Sequence, residues 1–261
     1  MPAGVVLAGA AARMQTLLML PFLLLASRAE DAAAEDEYAA YLRYGGLEER
    51  ELVRVRLEAA PLPSLDLSKY SGVIVGGSPF TSSDPPEHKS PVQHRVEQEL
   101  AALLDQLVDL DFPFLGACYG VGTLGSHQGA VIDRTYGEPL GAVQVELTEE
   151  GLQDPILQGM PQTFTAFTGH KEAVSSLPPH AVLLARAASC PVHMFRVKTN
   201  LYATQFHPEL DTDGLVTRID IYRHAGYFPP ESAEELMAAA RQFTVTEPMA
   251  VLKNFVARYA R

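Results

Sequence analysis

Tryptophan is absent from this chain of 261 residues and cysteine occurs only twice, at Cys118 and Cys190. Two cysteines cannot build the disulfide framework of a small secreted scaffold, and a reduced, cytoplasmic compartment suits a working thiol. No C-x-x-C or H-x-x-x-H spacing accompanies His193, so no metal is expected, and Cys190 reads as a small buried hydrophobe. No G-x-x-x-x-G-K-[ST] loop or other nucleotide signature is present, and no cofactor is expected. Basic residues are in the minority, 20 against 32 acidic, for a net charge of −12. That balance argues against nucleic-acid binding, which needs a basic stripe along the phosphate backbone. What remains is an ordinary globular composition, 47% hydrophobic and 20% charged, long enough for one sizeable α/β core.

The amino end has two readings. Val5 to Ala26 is almost continuously apolar, as in a membrane span or signal peptide. Against this, no positive charge precedes the run, Arg13 and Gln15 fall inside it, and Pro21 would disturb a spanning helix. The segment from Pro21 to Ala26 instead predicts a first parallel strand buried on both faces, and no membrane partner is expected.

Further along, Glu30 to Tyr44 predicts a helix with Tyr38, Tyr41 and Leu42 on one face and Gly45-Gly46 ending it. Leu52 to Leu57 alternates as a strand and Val73 to Val75 is another. A Ser/Pro/Asp-rich loop from Ser78 to Pro91 has the length of one that borders a site. Val92 to Val108 carries apolar residues at helical spacing, and residues 130 to 147 and 163 to 205 are strand-rich. Alternating strands and helices predict an α/β fold built on an open, mostly parallel sheet flanked by helices. In the tail, Ser232 is placed to cap a helix through Met237 to Arg241. Met249, Leu252, Phe255, Val256 and Tyr259 line one face of a terminal helix.

The chemistry concentrates in Gly116-Ala117-Cys118-Tyr119-Gly120. This G-x-C-x-G follows the apolar run Phe112 to Leu115 and reads as a nucleophile elbow, a sharp strand-to-helix turn that thrusts its central residue outward. The thiol then stands at a helix N-terminus, where the macrodipole is expected to favour thiolate. About ninety residues later Tyr202 to Phe206 alternates like a strand, with His207-Pro208-Glu209 at its C-terminal end. Open α/β sheets place ligands there. Cys118, His207 and Glu209 can serve as nucleophile, base and the carboxylate that orients it. Gly76-Gly77, after the strand run Ser71 to Val75, lets a backbone N–H face a cleft without steric cost.

Gly76-Gly77-Ser78-Pro79, the Cys118 elbow and His207-Pro208-Glu209 stand in the order and approximate spacing of the class I glutamine amidotransferases. Residues 19 to 212 resemble that triad family, and most of all the amidotransferase half of GMP synthase. The resemblance implies a flavodoxin-like α/β domain over 19–212, an N-terminal extension over 1–18 and a helical extension over 213–261 packed on the same domain. It also implies that Cys118 attacks the amide of glutamine or a related γ-glutamyl amide to form a glutamyl thioester and release ammonia. His207 would be general base and then acid, and Glu209 its orienting carboxylate. The N–H groups of Tyr119 and Gly77 would form the oxyanion hole, His170 would lie on a substrate loop, and a separate synthetase subunit would use the ammonia.

One position departs from that pattern: where many members carry Gln four residues after the nucleophile, this chain has Gly122. A missing side chain removes a hydrogen bond to a buried polar substrate. The substrate is therefore either glutamine, held by another group such as one from Thr168 to Val174, or a different γ-glutamyl amide. A non-catalytic binding protein on the same fold is the third reading.

Overall fold

A computed structural model describes residues 19–224 and 228–261. The expectation for residues 1–18 lies outside the described residues. Among those described, no helix is long and apolar enough to cross a membrane.

The chain runs β1 (Phe22–Ala26), α1 (Asp31–Gly45), β2 (Leu52–Arg56), β3 (Gly72–Val75), α2 (Pro91–Asp109), β4 (Phe114–Ala117) and α3 (Tyr119–His127). It continues through β5 (Val131–Asp133), β6 (Glu138–Leu147), α4 (Glu149–Gln153), β7 (Thr163–His170), β8 (Ala173–Ser176), β9 (Ala181–Ala187), β10 (Met194–Val197) and β11 (Leu201–Thr204). Three helices finish it: α5 (Thr212–Ile221), α6 (Ala233–Ala240) and α7 (Met249–Tyr259).

Among the described residues, nine strands form one sheet in the order β2-β1-β3-β4-β11-β10-β9-β6-β7. From β2 to β11 every neighbouring pair is parallel, and from β11 to β7 every pair is antiparallel. β5 and β8 pair separately.

The apolar run at the start of β1 follows from its central place. Phe22 and Leu24 join one hydrophobic cluster, with Tyr41, Leu252 and Phe255 of α1 and α7. Leu23 and Leu25 join the other, with Val96, Leu100, Leu104 and Leu107 of α2. Both faces are covered, so no position in the strand can be polar; full burial stabilises each such side chain by roughly 1.5–3 kcal/mol. A third cluster joins Leu215, Ile219, Ala233, Met237 and Ala240 of α5 and α6 to Phe167 of β7.

Local signals place most boundaries. The Ser90 hydroxyl accepts from Gln93 N at 3.1 Å at the start of α2, with Pro91 in its first turn, an N-cap with proline where no N–H is needed. Gly46, at φ 65°, ends α1. Two expectations are corrected. Ser232 precedes α6, but its side chain caps nothing because its backbone is already helical, φ −83° and ψ −7°. β11 stops at Thr204 and is buried throughout rather than alternating, because it lies between β4 and β10 in mid-sheet.

Candidate active site

Four adjacent parallel strands deliver the site. β1 leads to Arg28, β3 to Gly76 and Gly77, β4 to Cys118 and β11 to His207. The chain leaves β1 for β2 on one side and returns to β3 on the other. The strand order therefore reverses at β1/β3 and opens a crevice beyond the carboxyl ends. Backbone bonds hold the register there: Gly76 N donates to Leu25 O at 3.1 Å, and Cys118 N to Thr204 O at 2.7 Å.

Cys118 sits at φ 51°, ψ −84°, a strained conformation for a non-glycine residue that costs on the order of 1–3 kcal/mol. The flanking glycines explain how the turn closes. A Cβ on Gly116 would lie 2.7 Å from the Gly120 Cα, so strand and helix cross in contact because Gly116 lacks a side chain. Tyr119 opens α3, where a backbone N–H has no acceptor within the helix.

His207 Nδ1 lies 2.9 Å from Glu209 Oε1. Arg218 of α5 donates from Nη2 to the same oxygen at 2.8 Å, and its Nη1 approaches His207 Nδ1 at 3.2 Å. An ionised carboxylate only accepts, so Nδ1 presents its N–H to Glu209, Arg218 Nη1 lies beside that N–H without donating to it, and Nε2 is the nitrogen without a proton. Burial holds the His207 pKa below its ordinary value, with Arg218 and Arg28 adding to the effect and Glu209 opposing it. Glu209, 1% exposed, is held far below the usual carboxylate range by His207 and Arg218 despite its burial.

The expected thiolate is not the resting state. Burial pushes the Cys118 thiol up to about 12, while Arg28 and Arg218 pull it down and Glu172 and Glu209 push it up. A single helix N-terminus, worth about 0.3–1 kcal/mol when exposed, does not outweigh desolvation. Cys118 therefore carries its proton beside a neutral His207.

Gly77 packs against the imidazole: a Cβ there would lie 2.6 Å from His207 Cε1 and 2.7 Å from Arg28 Nη2. The space beside Gly122 is filled. A Cβ there would run into Ser82 Oγ and lie 2.9 Å from Glu172 Oε1. The Glu172 carboxylate takes the N–H groups of Ser82 and Ser83 at 2.8 and 2.6 Å, pinning the middle of the loop between β3 and α2.

His170, at the end of β7, borders the same cleft as Cys118 and His207. Its Nδ1 meets the Glu172 carbonyl at 2.8 Å and its Nε2 meets Glu138 Oε2 at 2.8 Å. His193 Nε2 reaches the same Glu138 oxygen at 3.0 Å. Ligand atoms of His170, Cys190 and His193 fall within 4.8 Å of one another, a spacing compatible with a metal ion. Glu138 and Ser189, however, already give the cluster internal partners.

The rest of the cleft comes from residues that carried no motif. Leu140, Leu215, Tyr222 and Phe228 wall it with Arg28 and Arg218. Beneath it Glu37, fully buried, accepts from Arg28 Nε at 2.8 Å and lies 3.8 Å from Arg218 Nη2. Glu37 did leave a trace in the sequence, since it occupies the buried helical face with Ala33, Ala34 and Tyr41, where an acid needs a partner.

A glutamine-hydrolyzing GMP synthase subunit of Thermococcus kodakarensis is 27% identical over 170 residues, 65% of this chain and 80% of the relative. Its counterpart in Methanoculleus marisnigri is 31% identical over 140 residues, 53% of this chain and 65% of the relative. The crystal structure of a glutamine amidotransferase from Thermotoga maritima superposes with a TM-score of 0.72 at 19% identity, covering 92% of this chain and 98% of that one. The family model for glutamine amidotransferase class-I matches residues 38–214, and the chain belongs to that family of enzymes.

Proposed function

We propose that this protein is a glutamine amidotransferase-type amidohydrolase in which Cys118, His207 and Glu209 cleave the side-chain amide of glutamine. The supporting observation is the buried Glu209–His207 pair, 2.9 Å long, on a cleft that His207 and Cys118 both border.

In this mechanism His207 Nε2 takes the thiol proton as sulfur attacks the amide carbon. A C–S bond forms and the carbonyl pair moves onto oxygen, facing the N–H groups of Tyr119 and Gly77. Donors set where charge develops commonly supply the largest catalytic contribution. The intermediate collapses with cleavage of the C–N bond, and His207 returns the proton to nitrogen, so ammonia leaves and a glutamyl thioester remains. Water, deprotonated by the same imidazole, then attacks the thioester, yielding glutamate and restoring the thiol. Glu209 fixes the tautomer throughout and balances the imidazolium that forms. A cytoplasmic setting keeps the thiol reduced. The relatives are named as one subunit of GMP synthase, which points to a separate synthetase that accepts the ammonia.

Glu172 and Ser82, packed where a Gly122 side chain would stand, together with the apolar wall of Leu140, Leu215 and Phe228, favour a second reading. In it the same triad cleaves a γ-glutamyl amide bearing a larger group on nitrogen.

Mass spectrometry after exposure to a glutamine-shaped electrophile, with Cys118→Ala as control, separates these readings. A stoichiometric adduct on Cys118 that excess glutamine blocks supports the first. Labelling by a general thiol reagent but not by the mimic moves the assignment to another amide.

A further inference from the structure

Arg28 has no place in a cysteine-histidine-glutamate triad, yet it is built into this one. It follows β1 by two residues and is 6% exposed. It borders the cleft together with Cys118 and His207. Its Nη2 and the His207 Cε1 both lie within 2.7 Å of one point, the position of a Cβ on Gly77. Gly77 is also the residue whose N–H is assigned to the oxyanion hole. Arg28 thus stands where charge would appear in the reaction.

The guanidinium is held from behind. Nε donates to Glu37 Oε1 at 2.8 Å and Nη1 to the Tyr222 hydroxyl at 3.2 Å, and the guanidinium carbon lies 5.8 Å from the Tyr222 ring centroid. Burial alone would weaken its charge, but Glu37 and Tyr222 keep Arg28 protonated well above its ordinary range.

We propose that Arg28 is a fourth catalytic group, a buried guanidinium that stabilises negative charge on the Cys118 sulfur and on the oxyanion beside Gly77, and that Glu37 positions it. The inference deepens the amidohydrolase reading and rests on Cys118 being its nucleophile.

Charge balance carries the argument. The buried groups around the site are Arg28 and Arg218 against Glu37 and Glu209. These four cancel among themselves, while Glu138, held by His170 and His193, also borders the cleft. Glu172, its carboxylate on the Ser82 and Ser83 N–H groups, also faces the sulfur and opposes its ionisation. Without Arg28 the remaining buried set carries a net negative charge, and every step that places charge on sulfur or oxygen is opposed. A buried acid on an apolar helix face is costly unless paired; Glu37 is paired with the two cations that reach the reacting groups.

The test is the rate of Cys118 alkylation at about neutral pH, followed by peptide mass spectrometry, with neutral iodoacetamide and anionic iodoacetate. Arg28→Gln is expected to slow iodoacetamide about tenfold, the equivalent of one unit in the thiol pKa, and to lower the iodoacetate-to-iodoacetamide rate ratio. Arg28→Lys restores both in part. Because Arg28→Gln strands Glu37, the pair Arg28→Met with Glu37→Leu is measured beside it and should also lower the ratio, with a smaller slowing because the Glu37 charge leaves with the guanidinium. Unchanged rates and ratio in either folded variant overturn the proposal. Alkylation needs no substrate, so a failure of glutamine-mimic capture, which would sink the glutamine reading, is distinguishable from a failure here.

Discussion

Arg218 and His207 meet on one oxygen of Glu209, with Arg218 Nη2 at 2.8 Å and His207 Nδ1 at 2.9 Å. The carboxylate beside His207 therefore depends on α5, which follows the His207 motif, and the tail of the chain helps to hold this pair in place.

Removing that support should be costly. Arg218→Met leaves Glu209 and Glu37 short of a buried cation and is expected to destabilise the protein by about 3–5 kcal/mol. Urea denaturation measures it, and a midpoint equal to wild type would show that Arg218 does not carry the pair.

Gly77→Ala places a methyl 2.6 Å from His207 Cε1. Moving the imidazole by such an amount is expected to lower kcat/KM about a hundredfold, with smaller change in the melting temperature. Wild-type turnover in the folded variant would contradict the packing described.

Gly122→Gln, which restores the residue type common in related enzymes, should not improve glutamine turnover. Its side chain meets Ser82 and Glu172, and overpacking of this kind typically costs about 1–3 kcal/mol. Limited proteolysis should show faster cleavage in the Ser78–Pro91 loop as Glu172 loses the Ser82 and Ser83 N–H groups.

Stability should depend on pH in two steps. His207 is neutral in both states above its unfolded value near 6.5, and its folded pKa is lower. As pH falls through 6.5 the unfolded chain takes up a proton that the native state refuses, and stability drops. A second loss follows below about 4.5, where unfolded Glu209 protonates but the native carboxylate stays ionised. Denaturation curves across this range measure both steps, and His207→Gln should remove the first.

The glycines show how far a linear reading reaches. G-x-C-x-G is visible because Gly116 and Gly120 touch each other across a local turn, and local sterics are written in adjacent residues. Gly122 announced a gap, but not what fills it, since Glu172 arrives from a loop fifty residues on. The helix N-terminus alone does not set the acidity of the Cys118 thiol, for a related reason: desolvation depends on the walls of the cleft, and these come from β1, β6, α5 and the segment after it.

What the sequence by itself determined was the set of elements and the motifs at their ends. Strand and helix periodicity, caps and the small residues of the elbow act within a few positions of one another, and β1, β2 and β3 lie where their patterns predicted. Only the tertiary structure decided how charge is shared. Arg28, Glu37, Glu209 and Arg218 are scattered over 191 positions and become one network because β1, α1, the His207 loop and α5 meet at the carboxyl end of the parallel strands. In that dry interior each charge must find another, and pairing of this kind depends on distance in space, which the order of residues does not contain.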